Sequence, residues 1–380
     1  MKISPDKTIS FALFLITFAV NLSMPLFRPY AVLAGLNNGQ TALILASYIL
    51  GMLPCFIFLG GISDVVGRKP ILLLSLLFAF SSDVLITIYP NVYALIVCRI
   101  FQGIGLGLSM GTGTAYLAEI LKNKYTEAPI KAAQKASLAT SFGFSGGAFI
   151  TTTALLISYN YRPTTYFIGI FITFIGIILT LFLPKIPPIG GKITRFPYFP
   201  KGSFDINLGI AICWAATSII IAIVPSQLAN FGLKAYAGFG LVLVNWTGAF
   251  IQPLIRKNFK HENSFRWGII ITPIGFAMVV LGCYLGNLPV ILLGAAVVGS
   301  SAYGFSYQGG LAIISNLGGV QRARAVAGFM FIGYLGFGIP AILIGYIADK
   351  IGIVGGLLVF EITITLLSIF LFFRTKKLAN

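Results

Sequence analysis

The chain reads as an all-α polytopic membrane protein: twelve transmembrane helices in two six-helix, pseudo-symmetric bundles, with both termini cytoplasmic. Three observations carry that reading. Hydrophobic residues make up 57% of the 380 positions and charged residues only 9%, with a mean hydropathy of +0.95, far above a soluble chain. Apolar runs of roughly twenty residues or more, long enough to cross a hydrocarbon core, recur from end to end. The basic residues gather in alternate loops between those runs.

In order, the runs fall at about 9–34, 41–63, 70–89, 92–118, 134–158, 164–184, 206–229, 235–255, 266–285, 288–315, 324–347 and 351–373. Lys2 and Lys7 before Phe11–Val20 imitate a signal peptide, but no small-residue cleavage site closes the stretch, so it is expected as the first span. With a cytoplasmic start, 21 lysines and arginines fall in inside loops against Arg162, Lys234 and Lys350 outside. Arg28 and Arg99 remain within spans. Such asymmetry accounts for the net charge of +17 by topology and excludes a nucleic-acid partner. Cys55, Cys98, Cys213 and Cys283 all lie in apolar segments without C-x-x-C spacing, which predicts packing residues, no disulfide framework and no metal. The long polar connection, rich in Pro, Gly, Lys and Arg, divides the chain into an N-terminal bundle at 1–184, a cytoplasmic linker at 185–205 and a C-terminal bundle at 206–380. A shift of about 190 residues brings Lys131–Lys135 near Arg322–Ala325, both opening a span after a cytoplasmic loop. This is the trace that a parallel duplication leaves, with a solute site between the halves near the bilayer midplane.

Between the second and third runs stands Gly60-Gly61-Ile62-Ser63-Asp64-Val65-Val66-Gly67-Arg68-Lys69-Pro70. Gly67 can supply positive φ for a tight reversal, and Pro70 suits the first turn of the next helix. Asp64, read as closing the second helix, opposes the negative end of that helix's dipole and needs a positive partner. The pattern G-x-x-x-D-x-x-G-R-K resembles the signature loop between helices two and three of the major facilitator superfamily of transporters. The resemblance implies that Gly60, Asp64, Gly67, Arg68 and Lys69 latch a cytoplasmic gate, with Glu119 at the inner end of span 4 as a partner of Arg68 or Lys69.

Within span 4, Arg99-Ile100-Phe101-Gln102-Gly103-Ile104-Gly105 has R-x-x-Q-G-x-G spacing similar to the superfamily's second signature. A guanidinium at that depth must face a partner or a polar interior. The resemblance implies that Arg99, Gln102 and Gly103 take part in coupling, and Asp83 in span 3 is a candidate proton carrier. Gly103, Gly107 and Gly111 repeat every four residues, a spacing that lets a neighbouring helix come close. In span 5, Gly143 and Gly147 match the superfamily's antiporter pattern, while Ala148 stands where that pattern has proline. Span 11 holds Gly333, Gly336, Gly338 and Pro340, a softened helix. Spans 1, 4, 7 and 10 line the cavity in this superfamily, which singles out Asn21, Arg28, Ser218, Tyr307 and Gln308 as solute contacts. Arg28 would suit an anionic or zwitterionic solute.

The expected function is therefore a multi-pass secondary transporter of a cell (inner or plasma) membrane, moving a small organic solute by rocker-switch alternating access. Proton-coupled efflux of drugs or metabolites, by antiport, leads. Proton-coupled uptake of a small anionic or zwitterionic metabolite is the rival, and a non-transporting sensor the third reading. No G-x-x-x-x-G-K-[ST] or H-E-x-x-H motif occurs, and the one histidine, His261, lies in a loop, so no catalytic residue, cofactor or ATP drive is assigned. The expected partners are the solute, protons and the lipid bilayer, around a monomer.

Overall fold

A segment inside hydrocarbon has no water to satisfy its amides and carbonyls, so a chain this apolar is driven to helices. The computed structural model describes residues 4–122 and 124–378; Lys2, and the side chain of Lys377, lie outside the described residues. Every regular element among the described residues is helical. Twelve of the helices described are long and apolar enough to cross a membrane. They are Pro5–Leu33, Asn38–Phe58, Arg68–Ile88, Val92–Leu121, Ala128–Ile157, Thr164–Leu181, Phe204–Asn230, Lys234–Asn258, His261–Leu285, Leu288–Leu317, Gly319–Ile351 and Ile353–Arg374, spans 1 to 12 below. All four cysteines are buried and free.

Two compact units form. Unit 1 comprises Met1–Tyr30 and Ser47–Phe196, and unit 2 comprises Ala31–Ala46 and Pro197–Asn380. This differs from the division expected at 185–205 in two places. Residues up to Phe196 pack with unit 1 because the Gly61 N–H donates to Ile193 O at 2.7 Å, and the N–H groups of Ile189 and Gly190 both donate to Asp64 O at 2.9 Å. The start of span 2 packs with unit 2 along span 11.

Unit 1 is built around span 1, which touches spans 3, 4, 5 and 6. Its core joins Ile9, Leu13 and Ile16 to Leu72 and Leu76 of span 3, Leu117 and Leu121 of span 4, and Ala132 and Ala136 of span 5. The helix Tyr48–Phe58 of span 2 lies against span 4 so closely that a Cβ at Gly103 would overlap the Tyr48 carbonyl, and one at Gly107 would come within 2.7 Å of Cys55 Cβ. The expected glycine face is thus real at two of its three positions. Gly111 meets nothing within 4 Å.

Span 1 is not continuous. Its helix Pro5–Leu22 gives way to a 3₁₀ turn at Met24–Leu26 and resumes at Phe27–Leu33. Pro25 has no N–H for the carbonyl four residues back, and the last turn of any helix leaves its carbonyls without onward amides. Span 4 supplies the missing donors: Gln102 Nε2 donates to Ala19 O at 3.0 Å and Arg99 Nη1 to Val20 O at 2.9 Å.

Unit 2 is centred on span 7, whose helix Phe204–Ala222 packs on spans 9 and 11. Span 10 passes through a π-helical segment, Ser300–Ser306. There the hydroxyls of Ser301 and Ser306 meet Thr272 at 2.8 Å and Cys213 at 3.2 Å, respectively. Pro340 is accommodated inside one helix, Arg322–Ile351, so the softened stretch of span 11 does not break.

The packing of spans 2 and 4 generates a test. Gly103→Val should lower the thermal unfolding midpoint in detergent, as overpacking of about 1–3 kcal/mol does, whereas Gly111→Ala should not. Equal midpoints for the two variants would contradict the close approach.

Candidate functional site

The loop after span 2 begins with a turn at Leu59–Gly61, and Asp64 lies not at the end of the long helix but in the first turn of a separate short one, Ile62–Val66. Contrary to expectation, Asp64 therefore sits not at the negative end of the long helix but near the start of the short one. Gly60 is part of the turn, and Gly67 takes φ 105° before the helix Arg68–Ile88 starts. Arg68 is the hub. It is only 8% exposed, and its Nη1 lies 2.5 Å from Asp64 Oδ1 and donates to Ser63 Oγ at 2.7 Å. Its Nε and Nη2 donate to Glu119 Oε1 at 3.1 and 2.9 Å. Glu119 Oε2 is buried without a hydrogen-bond partner. Lys69 turns elsewhere, donating to the carbonyls of Leu181 and Leu183. Arg195 completes the group by donating to Asp64 Oδ2.

This arrangement is a base held between an acid of the short helix after span 2 and an acid of span 4, with a second base brought in by the segment after span 6. Charge-assisted pairs of this kind are short and directional. Arg195 stood in the expected linker, more than a hundred residues from Asp64, and no local spacing pointed to it.

Deeper in unit 1, Arg99 is 1% exposed, and its guanidinium carbon lies 4.5 Å from the ring centroid of Tyr48 and 5.2 Å from that of Phe27. Arg99 Nη1 also donates to Gln102 Oε1 at 3.0 Å, while Gln102 Nε2 reaches Ser82 Oγ at 3.4 Å. The next residue, Asp83, is 1% exposed, and its Oδ2 has no hydrogen-bond partner. Asn21 donates its amide to Phe144 O at 2.8 Å, tying span 1 to span 5. Arg28 is half-buried in the helix Phe27–Leu33.

In unit 2, Ser218 is fully buried and returns its hydroxyl to Ala215 O of its own helix, so it presents no free surface here. Tyr307 belongs to a cluster of rings around Trp214. Centroid distances from Trp214 are 4.9 Å to Tyr334, 5.7 Å to Tyr303 and 6.1 Å to Tyr307. The Trp214 indole N–H has no hydrogen-bond partner. Gln308 accepts from Arg256 Nε at 2.8 Å, and its own Nε2 is buried and unsatisfied. Trp214 and Tyr334 escaped the sequence reading because an aromatic residue in an apolar run carries no mark of which face it occupies.

The architecture and sequence have known counterparts. A structure of nucleoside transporter NupG superposes with a TM-score of 0.77 at 13% identity over 98% of both chains. A D-xylose-proton symporter does so with a TM-score of 0.74 at 14% identity, over 97% of this chain and 96% of that one. Sialic acid transporter NanX of Escherichia coli (strain K12) is 25% identical over 326 residues, 76% of each chain. Among other curated relatives the matched stretch is short, 11% of the length of one and 20% of another. The sequence pattern of the Major Facilitator Superfamily matches residues 9–255. With that match, the fold and the loop at Asp64 in agreement, the chain belongs to the Major Facilitator Superfamily.

Proposed function

We propose that the chain is a secondary transporter that carries a small organic solute across a cell membrane by alternating access, coupled to protons, with both termini cytoplasmic and as a monomer. The observation that carries this reading is Arg68, bridging Asp64 and Glu119 in a short loop at the membrane edge. Two acids share one base, and Glu119 keeps an oxygen without a partner, so the shared base has a further acceptor to move onto when the loop shifts. That is what a gate requires.

Asp83 is the carboxyl we assign to the proton. It is enclosed in unit 1, and its neighbour Ser82 connects through Gln102 to Arg99 and the broken segment of span 1. A change at Asp83 can thereby reach the segment that bends. For the solute, the rings of Trp214, Tyr303, Tyr307 and Tyr334 offer stacking faces, with the indole N–H and the Gln308 amide as free donors. This favours a ring-bearing solute rich in acceptors, and Arg28 suits an acidic one.

Uptake by proton symport is the direction we favour. The likeness to a D-xylose-proton symporter and to a sialic acid transporter supports it, as does Ala148 in place of an antiporter proline. Drug or metabolite efflux by antiport is the second reading, supported by the R-x-x-Q-G spacing at Arg99.

In proteoliposomes, Asp64→Asn should cut solute exchange at least about tenfold, ~1.4 kcal/mol in barrier, while leaving the elution profile of the purified protein unchanged. Exchange at the parent rate would remove the loop from the gate. An imposed pH gradient should drive accumulation of the solute and an uncoupler should abolish it; accumulation indifferent to the uncoupler rejects proton coupling. A ligand that binds the folded state raises its melting point, so sugars, sugar acids and nucleosides can be screened by thermal shift. Trp214→Ala should then weaken binding of the best hit about fivefold, near 1 kcal/mol, with Trp214→Phe retaining most of it. Equal affinity for parent and Trp214→Ala would dismiss the ring platform.

A further inference from the structure

The residues at the far end of span 11 repeat the pattern of the loop at Asp64. Gly345-Tyr346-Ile347-Ala348-Asp349-Lys350-Ile351-Gly352 matches Gly60-Gly61-Ile62-Ser63-Asp64-Val65-Val66-Gly67 in glycine, isoleucine, small residue, aspartate, branched aliphatic and glycine, each at the same offset. The backbone repeats as well. Gly352 has φ 84° and ψ 157°, Gly67 has φ 105° and ψ 155°, and each immediately precedes a helix, Ile353–Arg374 in one case and Arg68–Ile88 in the other. Positive φ with extended ψ is open to glycine and costly for any other residue.

The two turns lead into different residues. Arg68 and Lys69 stand after Gly67, but Ile353 and Val354 after Gly352, so Asp349 has no base in the corresponding place. Its carboxylate instead takes the start of the helix Asn38–Ala46, the first half of span 2. Oδ1 accepts from the Asn38 N–H at 2.9 Å and from Asn38 Nδ2 at 2.8 Å, and Oδ2 accepts from the Gly39 N–H at 3.0 Å. Amides in a first turn have no partner within their own helix and carry its partial positive charge, so a carboxylate satisfies both needs at once.

The seat for this contact is shaped by two glycines. A Cβ at Gly345 would lie 2.8 Å from Gly39 Cα, and a Cβ at Gly39 would lie 2.5 Å from the ring of Tyr346. Only bare backbone lets the carboxylate reach two successive amides. Meanwhile the second half of span 2, Tyr48–Phe58, is bound into unit 1 through the glycines of span 4, and the helix is interrupted at Ser47, where the Leu50 N–H reaches back only three residues.

We propose that Gly345–Gly352 is a second latch, made from the same cassette as the loop at Asp64 and placed at the opposite end of span 2. In it, Asp349 holds the start of that span against span 11 and keeps that end closed. The proposal rests on the alternating-access reading above, under which this end faces outside. Opening it requires the three hydrogen bonds of Asp349 to part, or span 2 to bend at Ser47. The two latches are thus complementary: one aspartate is held by bases within unit 1, the other by a helix start within unit 2.

A reporter cysteine at Ala42, fully buried on the held helix, tests this in a background with Cys55, Cys98, Cys213 and Cys283 replaced. Sealed vesicles with this end outward are treated with a membrane-impermeant maleimide, in the reporter protein alone and with Asp349→Ala or Asn38→Asp added. Asn38→Asp sets a second carboxylate against Asp349 without touching span 11, so it carries the test if Asp349→Ala does not elute as folded protein. Both variants should label about tenfold faster or more, the size of shift that loss of a gate contact gives a two-state equilibrium. Unchanged labelling in a folded variant overturns the latch. The readout uses no solute, so unchanged labelling in a folded variant of a protein that still exchanges solute overturns the latch and leaves the transport reading standing.

Discussion

Broken helices inside a membrane leave carbonyls that no water can reach, and the rest of unit 1 is arranged around that fact. Span 1 stops at Leu22 because Pro25 cannot donate, and the carbonyls of Ala19 and Val20 are met by Gln102 and Arg99 from span 4. The R-x-x-Q spacing acquires its reason here. Two polar side chains one helical turn apart share a face, and that face is pressed on the open end of another helix. Arg99 is held from its sides by the rings of Phe27 and Tyr48, so the pieces on either side of the break are fastened to the same guanidinium. Removing it would leave buried acceptors unsatisfied, which costs more than the bonds themselves contribute.

Close backbone contact is the second constraint. Gly103 and Gly107 bring span 4 against the second half of span 2, and Gly345 brings span 11 against the first half. Lipid tails are as apolar as leucine, so helices in a membrane gain little by hiding oily side chains from one another and must gain by fitting. Glycine faces supply that fit without long side chains that would interlock. Span 2 is consequently claimed by both units, and the interruption at Ser47 falls between the two claims.

Charge is concentrated where spans end. Asp64, Arg68, Glu119 and Arg195 form one group, and Asp349 with Asn38 forms another. Each group contains an aspartate on the same glycine-bounded turn, and the partner is chosen by what the surrounding helices bring within reach. Partly buried pairs of this kind are worth more than solvated ones but depend on geometry, so they respond sharply to small shifts of the spans that carry them.

The twelve spans could be read directly from the chain, because a run of apolar residues states its own length and needs no partner to be recognised. The glycine-bounded turn at Asp64 and the R-x-x-Q-G spacing were visible for the same reason, since each is a local pattern. What the pattern could not carry was the other half of every contact. Arg195 comes to Asp64 from the connecting segment, Ala31–Ala46 joins the opposite unit, Ser218 folds back on its own helix, and Trp214 gathers three tyrosines from spans 10 and 11. Asp349 finds its donors 311 residues away. Which groups meet depends on how the helices are rotated and spaced, and those are set by the fit of many side chains at once; no single stretch of chain encodes them.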